Sequence, residues 1–402
     1  MKKVLFSLLP LCLLATACRN VDCCLRSATL SGTESRILQN QFIRAEIVPA
    51  ATGGIVGLTY LPLQKEILPP FQYMVEKIDL IPDRTVIKGG GSRILLWGEK
   101  NLSSQEMSIR AEKATADCCS VELFNPYYQS SNLSLQKKVS LNKNRAALQI
   151  DLEAQNKTSR PITVTLWDNM IAQLQNDSMD TILMPARGKT TKIGKRGVQF
   201  LPEDGIFNDN DDVFDKVIFI APARNWIARK NPKSSLIFAI RGDFTDLSPE
   251  GFFYTWKKQS GSPLHTMELI FNPYVLEAQK NKCYRLEYLF FQGLPSLDEI
   301  CGDIGIYAEF QKKQVLFLFN SVDFVPEKNL QVRLRNTENQ EFYLGEKQLR
   351  ALSPTKVQKL LFTLPPLPPG TYQLQGCFEQ NESFELLKTL TIEPGSPTNA
   401  SH

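Results

Sequence analysis

Four tryptophans, Trp97, Trp167, Trp226 and Trp256, together with Tyr254, are the side chains in this sequence best suited to recognition chemistry. The C–H faces of a sugar stack on such rings while neighbouring Asp, Asn and Arg take its hydroxyls, an apolar wall joined to a few placed polar groups. Trp167-Asp168-Asn169 sets two polar groups beside a ring, and Arg187 follows shortly after Met184-Pro185. The residues this chemistry selects are Trp97, Trp167, Asp168, Arg187, Trp256 and His265. The competing use of tryptophan is to fill a large core, where it is usually found.

Acid–base chemistry has less to draw on. The chain has two histidines, His265 and the terminal His402. His265, between Pro263-Leu264 and Thr266-Met267-Glu268, opens a strand pattern. Opening a sugar ring requires one group to protonate the ring oxygen and another to take the anomeric proton. Glycoside cleavage requires two carboxyls at a set separation, and nothing in the sequence fixes the distances among Asp168, Asp243, Glu268 and Glu287. No Ser-His-Asp order, phosphate loop or histidine metal motif is present. The acidic run Glu203-Asp204-Gly205, Asn208-Asp209-Asn210-Asp211-Asp212 and Asp215 lacks the Gly and terminal Glu of a helix–loop–helix calcium site. It reads as a solvated loop, so neither metal nor cofactor is expected.

The elements that must position these residues read as strands almost throughout. From Ile37 apolar residues alternate with polar ones between Gly, Pro, Asn and Asp turns, at 42–48, 55–60, 133–139, 146–155, 162–166, 217–220, 236–241, 266–271 and 283–291. The one helix expected is a short one at 296–301. A boundary is expected at 293–305. Beyond it five short strands at 315–319, 330–334, 357–363, 371–378 and 384–392 suit a small sandwich. There Pro365-Pro366-Leu367-Pro368-Pro369-Gly370-Thr371-Tyr372 leads into a strand: prolines extend the approach and Gly370 permits the turn. Residues 395–402 form a polar tail.

The first eighteen residues carry an address. Lys2 and Lys3 precede a short apolar run, and small residues lead to Cys18. That order is a secretory signal, too short to span a membrane stably. Leu14-Ala15-Thr16-Ala17-Cys18 resembles the bacterial lipoprotein signal. The resemblance implies removal of residues 1–17, a diacylglyceryl group on the Cys18 thiol and acylation of the new amino terminus by a chain such as palmitate. Arg19, where an Asp would direct retention, resembles outer-membrane sorting. Such acyl chains hold a protein on a bilayer with no spanning helix. The expected site is the outer membrane or cell envelope, with 18–36 as a lipidated tether.

Losing Lys2 and Lys3 with the signal lowers the formal charge of +4 by two. A surface so nearly balanced, with no basic stripe among aromatics, excludes a nucleic-acid partner. Of nine cysteines, Cys12 leaves with the signal and Cys18 is lipidated. Cys23, Cys24, Cys118, Cys119, Cys283, Cys301 and Cys377 remain, in a compartment that permits disulfides. The adjacent pairs Cys23-Cys24 and Cys118-Cys119 could meet, tether to body. They lack the CxxC spacing of a zinc site.

Leu38 to Phe42, followed by Val48-Pro49-Ala50-Ala51-Thr52-Gly53-Gly54-Ile55-Val56-Gly57-Leu58, resembles the opening of the galactose mutarotase-like superfamily. Leu135-Gln136-Lys137-Lys138-Val139, Ala147-Leu148-Gln149-Ile150 and the turn Asn156-Lys157-Thr158-Ser159-Arg160-Pro161 resemble its central hairpin. Trp167 ends the next strand, and Glu287-Tyr288-Leu289-Phe290-Phe291 looks like the closing one. The resemblance implies an all-β chain, with a large antiparallel β-supersandwich over 37–293 followed by a small Ig-like β-sandwich over 304–394. "PPGTY" before a late strand is similar to add-on domains of secreted bacterial proteins. Sugar-converting members use histidines with acidic residues, and the missing second histidine argues against that route. The expected function is a non-catalytic carbohydrate-binding or envelope-interaction lipoprotein. The alternatives are a carbohydrate-active epimerase, hydrolase or lyase, and a purely structural part in envelope assembly.

Overall fold

A computed structural model describes residues 23–69, 74–77, 85–88, 91–96, 106–128, 132–172, 180–194, 197–202, 205–209, 216–242, 252–260, 262–378 and 385–392. Among them there is no α-helix, only a one-turn 3-10 segment at Leu61–Leu63. The protein is all-β, and one antiparallel sheet gathers 21 strands.

Period-two alternation explains why these segments pair. Leu133–Asn142 turns Leu133, Leu135, Lys137, Val139 and Leu141 inward, and its partner Ala147–Asn156 alternates buried and half-buried residues along its length. The central strands Leu236–Gly242 and Asn281–Gln292 carry longer apolar runs because both of their faces are covered. Their rings stack with the opening hairpin: Tyr60 lies over Phe290 at 5.5 Å between centroids, and Phe238 meets Phe290 at 5.3 Å. Burying each such ring is worth about 2–3 kcal/mol.

Followed by its pairings, the sheet runs from the edge strand Ser108–Ala114 through Cys118–Asn125, Leu133–Asn142 and Ala147–Asn156 to Asn281–Gln292. It continues through Leu236–Gly242, Trp226–Lys230, Thr181–Gly194, Lys216–Pro222 and Phe252–Ser260. Met267–Ile270, Leu166–Ile171 and Gly91–Leu96 follow, then Gly54–Tyr60, Ile43–Val48, Thr33–Gln39 and Cys24–Leu30. The two ends come back together, because the Cys23 N–H donates to the Ala116 carbonyl at 3.2 Å. Buried Asn40 fastens this seam. Its amide donates to the Asn142 and Arg145 carbonyls at 2.6 and 2.8 Å while its oxygen accepts the N–H groups of Phe42 and Ile43. Gly53 turns the chain between Ile43–Val48 and Gly54–Tyr60 at φ +60°, where any side chain is strained and a Cβ would sit 2.7 Å from Leu123 Cδ1.

Two four-stranded sheets follow. One pairs Glu299–Cys301, Ile304–Gln311, Gln314–Ser321 and Gln358–Thr363; the other pairs Glu341–Leu349, Lys328–Asn336, Gly370–Phe378 and Glu385–Ile392. They enclose a core of their own around Phe317, Phe362, Leu334 and Tyr372. The Tyr372 hydroxyl donates to the Pro368 carbonyl at 2.8 Å, tying the proline run to the strand it introduces.

Two expectations need correction. The stretch read as a tether is, from Cys24 onward, the hairpin Cys24–Leu30 and Thr33–Gln39. It escapes a periodicity test because the first strand is an edge with no fully buried position. Residues 296–301 form no helix: Glu299–Cys301 is a strand, and Leu297 and Ile300 are buried in the larger core. The stretch 293–305, read as a boundary, is a packed junction. Glu299 is sealed against Trp226 and Arg224, and Arg145 and Arg241 both bridge Glu287 to Asp303 across the junction.

Candidate functional site

The strand Leu166–Ile171 lies between Gly91–Leu96 and Met267–Ile270. Register places Asn169 opposite Arg93 on one side and Glu268 on the other. Alternation then puts Trp167, two residues earlier, on the same face as this row, and Asp168 on the opposite face.

On the first face the Trp167 indole N–H donates to Glu268 Oε2 at 2.6 Å, and Arg93 donates to Asn169 Oδ1 at 3.1 Å. Trp167 and Arg93 are half-buried, whereas Glu268 is 1% exposed. Burial pushes the Glu268 carboxyl up to about 7, against hydrogen bonds from Thr266, Asn169 and Trp167 and the more distant charge of Arg93. The same burial lowers Arg93. The arrangement presents an indole edge fixed in orientation, with a guanidinium and an amide beside it.

On the other face Asp168 is sealed in the core. The Tyr288 hydroxyl donates to both of its oxygens at 3.0 Å, and Ser92 Oγ donates to Oδ1 at 3.1 Å; the Ser92 and Tyr288 hydroxyls also touch each other. Lys137, equally buried, gives its ammonium to the Gly53 carbonyl at 2.9 Å and faces Asp168 electrostatically. Burial raises Asp168 and lowers Lys137, each opposed by the other's charge.

Of the residues selected from sequence, the structure brings Trp167 to the site and turns Asp168 away from it. Asp168 cannot meet a ligand on the Trp167 face, because neighbouring residues of a strand point to opposite sides. Trp97 lies outside the described residues. Of Arg187, Trp256 and His265 only the strand positions are described. Arg187 is within Thr181–Gly194, Trp256 pairs with Val217, and His265 pairs with Lys257 at the end of Ser262–His265. Tyr254, two residues before Trp256, is opposite Glu268 in register. Trp226 is a core residue, fully buried with its indole N–H on Glu299 at 3.0 Å. Among the other carboxylates, Glu287 binds Arg145 and Arg241 at 2.5 Å each, and these arginines lower it despite burial. Asp243, Glu203, Asp204 and residues 210–215 lie outside the described residues. Among the described residues no three His, Cys, Asp or Glu side chains stand as a metal-binding group.

Sequence reasoning missed Arg93, Ser92, Lys137 and Tyr288. Lys137 had a signal: it occupies an inward parity position between Leu135 and Val139. Arg93 had none, since the apolar run after it points to burial alone.

The sequence matches no protein-family model and no curated protein. Solved structures do resemble the fold. A TPR-domain containing protein from Parabacteroides distasonis superposes with a TM-score of 0.52 at 14% identity, over 66% of this chain and 48% of that one. This chain thus matches about half the length of that protein. A galactose mutarotase-like protein from Clostridium acetobutylicum superposes with a TM-score of 0.50 at 10% identity, over 67% of this chain and 99% of that one. At such identities the likeness defines the fold and nothing more: the large sheet has the β-sandwich fold of these galactose mutarotase-like structures.

Proposed function

We propose that this protein is an exported, lipid-anchored envelope lipoprotein whose supersandwich binds carbohydrate without converting it, and whose C-terminal sandwich is an Ig-like accessory domain. One observation carries the reading: the half-buried Trp167 ring is pinned through its N–H to a sealed carboxyl, with Arg93 and Asn169 in the same cross-strand row. A pre-oriented ring flanked by fixed hydroxyl partners suits a sugar face, because little side-chain entropy is lost on binding. Glu268 argues against catalysis by this row. Its carboxyl sits where a general acid should titrate, at about 7, yet it is sealed and already holds Trp167. A group that moves a proton must come within hydrogen-bond reach of the reacting oxygen. Glu268 is therefore a positioning residue for the ring.

The test is a glycan array with the mature chain from Arg19, followed by turnover assays on each hit. A form beginning at residue 36 would lose the first strand and part of the second. Binding without turnover, weakened by Trp167→Ala at unchanged Tm, is expected; no binding to any glycan would leave only a structural part in envelope assembly. The anchor is checked separately. An alkyne fatty acid should label the wild type and not Cys18→Ser, and label persisting in the variant would overturn the assignment.

A further inference from the structure

The seam where the sheet returns on itself brings together cysteines that are 96 positions apart in the chain. Cys23 precedes the edge strand Cys24–Leu30, and Cys119 is the second residue of Cys118–Asn125. Both are buried, whereas their neighbours Cys24 and Cys118 are half-buried, as alternation requires. The backbones are fixed beside each other by the Cys23 N–H on the Ala116 carbonyl at 3.2 Å. The Cys23 sulfur lies 3.5 Å from the Leu141 carbonyl, and Leu141 is the register partner of Cys119. The Cys119 sulfur lies 3.9 Å from the Gln39 carbonyl, and Gln39 is the register partner of Cys24. Each thiol thus reaches into the other's strand pair, near enough for each to perturb the other's titration. Neither is bridged in this structure.

We propose that Cys23 and Cys119 close as a disulfide that staples the leading edge of the supersandwich to its far end. The proposal rests on the exported location, which allows disulfides to persist. The oxidant is a small-molecule or protein disulfide. One cysteine thiolate attacks a sulfur of the donor and releases one donor thiol; the second thiolate attacks the mixed disulfide and releases the other. Two thiols and one disulfide become one disulfide and two thiols, the electron pair passing to the donor. The consequence reaches the membrane. Only residues 19–22 would separate the stapled strand from lipidated Cys18, a span of about 17 Å when fully extended. The bond would keep any pull on the lipid from peeling away an edge strand held on one side only.

Burial pushes the Cys119 thiol up to about 12 and raises Cys23 as well, so closure without an enzyme should be slow at neutral pH. Its rate should climb about tenfold per pH unit between pH 7 and 8, following the thiolate fraction. The experiment uses the full chain, reduced, purified, and given oxidised glutathione, then alkylated and digested for mass spectrometry. Because it supplies its own oxidant, it reports the geometry whether or not the location holds. The expected product is one linked peptide pair, Cys23 with Cys119, two hydrogens lighter, with Cys24 and Cys118 alkylated. Its Tm should exceed that of the reduced protein by on the order of 5 °C, a gap absent from Cys119→Ala. Should Cys119→Ala fail to fold, the wild-type peptide map decides alone. A Cys24–Cys118 link, a bridge within either adjacent pair, or full alkylation of Cys23 and Cys119 after oxidation would overturn the proposal.

Discussion

Asp168 and Glu268 sit on neighbouring strands, one residue apart in register, and both are carboxyls withdrawn from water. Behind the sheet, Asp168 meets a buried ammonium and two hydroxyls. In front of it, Glu268 meets an indole, an amide and a hydroxyl, and the charge of Arg93 acts on it least. The first carboxyl feels the charge of Lys137 across the core. The second is held by neutral donors, and burial pushes it up to about 7. What separates the two is how strongly a cation acts on each, since burial is common to both. The pair behind the sheet fixes the sandwich layers; the row in front fixes a ring.

The largest effect should come from breaking the rear pair. Lys137→Met leaves Asp168 buried without its cation and should cost about 3–5 kcal/mol. Adding Asp168→Leu should recover most of that loss, since an apolar pair of similar volume is often neutral. Urea unfolding of the two single variants and the double variant measures the coupling, and additive losses would mean the charges do not interact.

The front row should instead show itself in pH dependence. An unfolded glutamate ionises near 4.5, while Glu268 in the folded protein holds its proton to about 7. Ionisation therefore favours the unfolded state. The stabilisation is complete below pH 4.5 and is lost as pH rises through 7. Compared with Glu268→Gln, the wild type should lose on the order of 3 kcal/mol between pH 4.5 and 8. An equal stability gap between wild type and Glu268→Gln at both ends of this window, measured by urea unfolding, would contradict the raised carboxyl.

A smaller contrast separates the two aromatic donors. Tyr288→Phe removes a hydrogen bond to a buried charge and should cost about 1.5–3 kcal/mol. Trp167→Phe removes a donor to a mostly neutral carboxyl and should cost about 1 kcal/mol. Thermal melts of both variants rank them, and a reversed order would erase the distinction between the faces.

How far these faces were legible in the sequence follows from parity. Leu133 to Leu141 alternates cleanly and 288–291 is a continuous apolar run, so the strands could be placed, and Lys137 and Tyr288 fall on inward positions. What parity cannot say is which buried polar groups from distant strands will face each other; Lys137 and Asp168 meet only through the packing of two layers. The turn at Asn156 was readable because its side chain caps the turn, accepting the Thr158 N–H at 2.8 Å. The opening strand was not, since an edge that buries little leaves no apolar period. Trp167 was selected as a ring with polar neighbours, and in the structure those on its face are Glu268, Asn169 and Arg93. Pairing it with Asp168 failed on the same alternation that located the strand.

The central claim is that Trp167 presents a sugar-stacking surface held by a carboxyl that takes no part in chemistry. Its most direct test is calorimetric titration of a glycan hit into wild type, Trp167→Ala and Glu268→Gln, with anomeric exchange followed by NMR in the same samples. The account predicts at least a tenfold loss of affinity for Trp167→Ala, about 1.4 kcal/mol, near-wild-type binding for Glu268→Gln, and no exchange or cleavage in any sample. Unchanged affinity in Trp167→Ala, or turnover that disappears in Glu268→Gln, would contradict it.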